Sequence, residues 1–108
     1  MTDVFRALAD ESRRSLLDAL FARGGQSLGE LSAGLPTMSR QAVTKHLAIL
    51  EAANLVSVRW RGREKLHYLN PVPIGEIVRR WVGKFEDARI EALTDFKAQV
   101  EETEKRRA

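Results

Sequence analysis

The sequence predicts a mainly α-helical fold of about five helices, a single two-stranded β-hairpin and a long C-terminal helix. Three observations carry this. Apolar residues recur at helical spacing through the first half of the chain and again from Ile74 onward. Between Val56 and Leu69 the period drops to two. Glycine and proline fall between these segments, at Gly24-Gly25, Gly34-Leu35-Pro36, Gly62 and Pro71-Val72-Pro73.

The elements follow in order. Thr2 or Asp3 can cap a first helix bearing Val4, Phe5 and Leu8. Asp10 can cap a second, with Leu16, Leu17, Leu20 and Phe21 on one side, stopped by Gly24-Gly25. A short helix runs from about Ser27 to Ala33, Leu28 and Leu31 facing in. Ser39 caps the next, where Ala42, Val43, Leu47 and Leu50 form an apolar stripe. Arg40, Gln41, Thr44, Lys45 and Ala48 share the opposite side, with His46 near the boundary. Asn54 suits a left-handed C-cap. In the hairpin Val56, Val58 and Trp60 alternate with Ser57, Arg59 and Arg61. The chain then turns at Gly62 and returns with Leu66 and Tyr68 on one face, Lys65 and His67 on the other. A lone hairpin is marginal, so Trp60 and Tyr68 are expected to seat it on the helices rather than stack on bases. From Ile74 to about Val100 the positions Ile74, Val78, Trp81, Phe85, Ala88, Ala92 and Phe96 step by four and three in coiled-coil fashion. Those ~27 residues span roughly 40 Å, more than the rest of the chain covers, so part of the stripe needs a partner. The polar tail EETEKRRA is expected to fray.

Composition narrows the function. The chain has 108 residues, 44% hydrophobic and 31% charged, which suits one folded domain. There is no cysteine, so disulfide scaffolds, thiolate zinc sites and cysteine nucleophiles are excluded. The early charges of MTDVFRALADESRR do not suit a signal peptide, and no apolar run approaches ~20 residues, so a cytoplasmic protein without a membrane partner is expected. No Gly-rich phosphate loop or paired-carboxylate motif is present, and the reading is non-enzymatic, with no cofactor.

The net charge of +3 is unevenly placed. Residues 1–36 carry four basic and five acidic side chains, and residues 69–108 carry eight of each. Residues 37–68 carry six basic (Arg40, Lys45, Arg59, Arg61, Arg63, Lys65) against two acidic (Glu51, Glu64), hence +4. A local basic segment is the footprint of a polyanion binder, although a solvated face can also carry one. Two helices joined by a Gly/Pro turn, the second capped by serine and polar on one face, match a helix-turn-helix. Arg40 and Lys45 can donate to guanine or phosphate, Gln41 can pair adenine, and Ser39 and Thr44 can bond either. His46 is a phosphate contact or a packed histidine. Arg61 and Arg63 flank the tip of the wing, within reach of a minor groove or its phosphates.

These residues resemble a family. Phe5 to Arg14 (FRALADESRR), Met38 to Glu51 (MSRQAVTKHLAILE), and Asn54-Leu55-Val56 through Arg61-Gly62-Arg63 to Tyr68-Leu69 resemble, in order, the start, recognition helix and wing of ArsR/SmtB-type winged helix-turn-helix repressors. The resemblance spans residues 4–70 and implies a homodimeric regulator of transcription, usually a repressor, on double-stranded DNA. It implies a DNA-binding domain over residues 1–70 and a dimerisation helix over 71–108, together one compact domain. Pairing would run through the first and last helices, at Val4, Phe5, Leu8, Trp81, Phe85, Ala88 and Ala92. The family's metal sensors carry Cys-x-Cys where this chain reads Glu30-Leu31-Ser32-Ala33-Gly34-Leu35, and no histidine follows His67. The chain therefore resembles members without a metal site. Its effector, whether a small molecule near Trp81 and Phe85, a partner protein or none, stays open. The alternative is a protein-binding adaptor using the C-terminal helix.

Overall fold

Capping chemistry places the helix starts. The computed structural model describes residues 2–107, with α1 at Thr2–Leu8, α2 at Glu11–Ala22, α3 at Leu28–Gly34, α4 at Arg40–Ala52, β1 at Val56–Arg61, β2 at Glu64–Leu69 and α5 at Val72–Arg107. The chain divides into two units, one running to Ile74 and one from Gly75. Asp10 accepts the Arg13 N–H at 3.0 Å and caps α2. Ser27 and Glu30 form a reciprocal capping box on α3. Ser39 accepts from the Ala42 N–H at 3.1 Å and caps α4. α1 already contains Thr2 and Asp3, so neither is the cap expected of it; Asp3 instead puts its charge in the first turn, where the helix dipole favours it.

The end of α1 has no glycine. Its last carbonyls are capped from α2: Arg13 donates from Nε to the Ala7 carbonyl (2.8 Å) and from Nη2 to that of Arg6 (3.1 Å), and Arg14 donates to that of Leu8 (2.7 Å). Two guanidinium groups thus meet carbonyls that α1 cannot satisfy itself, at the end where its dipole is negative.

The core of the first unit is built on Leu16, Leu31, Val43, Leu50 and Leu55, all fully buried. Val4 and Ala7 bring α1 into it. Phe21, expected on the inner side of α2, is 81% exposed. Leu16, Leu17 and Leu20 fill the buried arc, and the 100° step per residue carries Phe21 past its edge.

β1 and β2 pair antiparallel, from Val56 opposite Leu69 to Arg61 opposite Glu64. The hairpin is fastened on its other edge. His67 N–H donates to the Gln26 carbonyl (2.9 Å), and the N–H groups of Gly25 and Gln26 donate back to the His67 carbonyl (2.8 and 3.3 Å). The His67 ring, 3% exposed, gives Nδ1–H to the same Gln26 oxygen at 2.9 Å. So His67, expected on the face opposite Leu66, is buried alongside it: β2 is covered on both faces and bridged on both edges. Gly25 (φ 77°) makes that approach, and Tyr68 lies where a side chain on Gly25 would be. Gly62 (φ 64°) turns the wing tip, and Asn54 (φ 61°) is the expected left-handed residue after α4. Tyr68 seats the hairpin as expected; Trp60 does not, being 66% exposed at the outer end of an edge strand.

α5 begins two residues before Ile74 and continues to Arg107, through the tail expected to fray. No Gly or Pro follows Gly83, and the tail is rich in Glu, Lys and Arg, which are good helix formers. At 1.5 Å per residue its 36 residues run roughly 54 Å.

The carboxylates of Asp10 and Glu30 are both held below the usual range, chiefly by backbone N–H groups (of Arg13 and Ser27) that bond the charged form. A depressed carboxylate stabilises the fold above its unfolded pKa, near about 4, and that contribution is lost as pH falls through the folded value. Melting temperature is expected to drop on acidification below about pH 4. Asp10→Asn, which still caps, should flatten part of that acid limb while leaving neutral-pH stability nearly intact. Circular-dichroism melts across the acid range check both.

Candidate nucleic-acid interface

Burial sorts α4 into two faces. Val43, Leu47 and Leu50 point into the core, while Ser39, Arg40, Gln41, Thr44, Lys45 and Ala48 are exposed at its start and along its outer side. The Ser39 hydroxyl is committed as acceptor to the cap but can still donate. Thr44 donates to the Arg40 carbonyl at 3.0 Å, leaving its oxygen able to accept. No acidic residue lies in the first turn of α4. The exposed N-terminal half of the helix therefore presents cationic and amide donors beside a positive helix end, an arrangement suited to a polyanion.

The wing lies beside this face. A small cleft between α4 and β2 is lined by Leu28, Thr44, Leu47, Glu51, Lys65 and His67. Across it Lys65 Nζ pairs with Glu51 Oε1 at 3.0 Å, tying the strand to the last turn of the helix. At the tip Arg61 Nη2 pairs with Glu64 Oε2 at 3.0 Å, and this bond raises the pKa of Arg61. Arg63 is exposed at the same turn.

His46 is set apart from the others. It is half-buried, and its Nδ1 lies 3.3 Å from Arg13 Nη1 on α2, so the ring belongs to the packing between α2 and α4. Two residues outside the sequence-predicted set stand out. Arg59 is exposed on β1, two positions before Arg61 on the same strand face; the alternation of the strand was the available signal. Arg13 reaches α4 only through tertiary packing, which no local pattern announces.

Among the residues expected at a dimer contact, Val4 is already buried within the first unit and Leu8 half-buried, while Phe5 is 50% exposed. On α5, Trp81, Phe85, Ala88 and Ala92 are all exposed, with Lys84 Nζ over the Trp81 ring at 5.0 Å. Val82, Leu93 and Val100 are exposed as well, beside the predicted stripe, so the apolar arc is wider than that stripe. Among the described residues no helix is long and apolar enough to cross a membrane.

Comparison with known proteins gives a consistent picture. Residues 8–59 match a family model described as a helix-turn-helix domain. The chain is 36% identical over 84 residues to YuzN of Bacillus subtilis (strain 168), itself an uncharacterised HTH-type transcriptional regulator, across 73% of this chain and 91% of that protein. It is 28% identical over 85 residues to the transcriptional repressor SdpR of the same organism, across 79% of this chain and 91% of that one. Its fold superposes with a TM-score of 0.72 on an ArsR-like transcriptional regulator from Rhodococcus sp. RHA1, at 34% identity, covering 91% of this chain and 90% of that one.

The pairing of Arg61 with Glu64 generates a prediction. Glu64→Gln frees the guanidinium and removes a negative charge at the wing tip. Duplex DNA should bind more tightly at low salt, and the salt dependence should steepen by about one released counterion. Affinity titrations at several salt concentrations check this; a weaker complex would show that the pair orders the tip instead.

Proposed function

Because the chain belongs to the ArsR-like helix-turn-helix transcriptional regulators, we propose that it acts as a homodimeric repressor reading a palindromic operator. The carrying observation is the exposed, acid-free N-terminal half of α4 beside a basic wing. In this reading Arg40 and Lys45 donate to guanine edges or phosphates, Gln41 pairs with adenine, and Ser39 and Thr44 bond phosphate. Arg61 and Arg63 hold the flanking groove from the wing. His46 acts behind the surface rather than on it, given its contact with Arg13.

The exposed apolar arc of α5 supports pairing with a second copy. Ile74, Phe85 and Phe96 recur at eleven residues, as do Val82 and Leu93. An eleven-residue repeat matches a nearly straight or slightly right-handed helix pair better than the left-handed supercoil of a seven-residue repeat. Two copies place two recognition helices at half-sites one turn apart, about 34 Å. Regulation would then rest on occupancy of the operator, with no chemical step.

Two outcomes are expected. Arg40→Ala with Gln41→Ala should abolish preference for the chain's own promoter duplex while leaving weak, salt-sensitive binding to any duplex, measured by competitive titration. Light scattering should give the mass of two chains, and Trp81→Glu with Phe85→Glu should reduce it to one by placing charges in an apolar contact. A single-chain mass for the unaltered protein, with no shift of any duplex, would favour an adaptor that docks on another protein.

A further inference from the structure

Arg13 makes three bonds at once. Nε and Nη2 cap the Ala7 and Arg6 carbonyls at the end of α1, and Nη1 faces His46 Nδ1 at 3.3 Å on α4. An arginine has no lone pair to offer, so this last contact requires Nδ1 to be the acceptor and places the ring proton on Nε2. Asp10 stands nearby at the head of α2, its charged form favoured chiefly by the Arg13 backbone N–H and further by the charge of Arg13. The planar fork of one guanidinium therefore spans α1 and α4 from its seat on α2. A lysine, with one rotating ammonium, cannot reproduce that geometry.

We propose that Arg13 is a positioning residue for DNA reading: through His46 it fixes the recognition helix against α1 and α2, without touching DNA itself. The inference rests on the reading of α4 as the recognition helix. Its physical content is that, among the described residues, α4 has no other side-chain hydrogen bond to α2. Its start is capped internally by Ser39, and its far end is tied to the wing through Lys65 and Glu51. His46 lies between these two ends and, among the described residues, is the side chain of α4 hydrogen-bonded to α2. Loosening it lets α4 turn or slide on an apolar surface that has no directional bonds of its own, and base-edge contacts depend on that register.

The test uses the full chain carrying Arg13→Lys, His46→Leu, both together, or His46→Asn, whose Oδ1 supplies an acceptor near the position of Nδ1. Proper folding of each is checked by circular dichroism. Arg13→Lys and His46→Leu should each weaken binding to the promoter duplex by about tenfold, the effect of one charge-assisted hydrogen bond. The double variant should lose no more than either single, and His46→Asn should recover most of the loss. The salt slope and the affinity for random duplex should not change. Additive losses would overturn the proposal, as would a salt slope lowered by about one in Arg13→Gln, which removes the charge that Arg13→Lys keeps and would mark Arg13 as a phosphate contact. A second arm needs no DNA. Hydrogen exchange of the α4 amides should quicken in Arg13→Lys more than that of the α2 amides, and the nitrogen spectrum of His46 should show an unprotonated Nδ1 that shifts in this variant. Unchanged exchange and spectrum would overturn the proposal. Failure of the unaltered protein to bind any duplex would instead count against the DNA-reading function, with the exchange arm still deciding the role of Arg13.

Discussion

The arrangement of α4 and the hairpin depends on one small polar knot, the pairing of Gln26 with His67. A two-residue-tip hairpin has little stability alone and needs both a covered face and a partner for its inner edge. Gln26 supplies that partner from the linker between α2 and α3, and its side chain does a second job. Its amide donates to the carbonyls of Ala19 and Arg23, closing the end of α2. One residue thus satisfies a helix terminus with its side chain and a strand with its backbone. The buried His67 ring adds a bond to the same oxygen. Removing the ring would cost that second bond and its packing, while the carbonyl keeps the His67 backbone N–H as a donor. The wing is therefore set relative to α2 and α3 by backbone geometry, which side-chain changes at its surface leave untouched.

A second constraint acts on the other flank, at the end of α1. A seven-residue helix is too short to persist by its own hydrogen bonds, so its survival depends on packing and on what meets its ends. Val4 and Ala7 provide the packing, and adjacent arginines provide the end. This explains a feature of the sequence that propensity alone does not: two consecutive arginines early in an amphipathic helix, on positions that face neither the core nor open solvent in full. Their role is to satisfy carbonyls of the preceding element, and one of them extends the same network to α4.

What was legible in the sequence is what short-range chemistry decides. Asp10 and Ser39 as caps, Asn54 and Gly62 as left-handed positions, and the two faces of α4 all follow from rules that act over a few residues. Phe21, Trp60 and His67 were misplaced because their surroundings are set by distant elements. Phe21 lies one step beyond an arc that three leucines already fill. Trp60 sits on an edge strand past the reach of the helices. His67 alternates as a surface residue would, but the Gln26 segment bridges to it from the α2–α3 linker and the ring is buried there. The candidate interface was legible for the same local reason, since α4 carries its polar face in its own periodicity. Arg13 was not, because its partner lies 33 residues away.

The charge distribution then takes on a sharper meaning. Residues 37–68 hold six basic and two acidic side chains, and the structure pairs both acids inside that segment, Glu51 with Lys65 and Glu64 with Arg61. The surplus of four is thereby assigned to Arg40 and Lys45 on α4 and to Arg59 and Arg63 on the hairpin. The two ion pairs differ in kind. Lys65 and Glu51 are partly covered and join two elements, so their effect is on the angle between helix and wing. Arg61 and Glu64 are largely exposed neighbours across the turn, where screening leaves little net stability. A guanidinium held by so weak a tether is available to a phosphate, which offers it the same oxygen geometry with more charge. Glu64 would then compete with a phosphate for Arg61 rather than order it, and the competition costs little because the pair is weak.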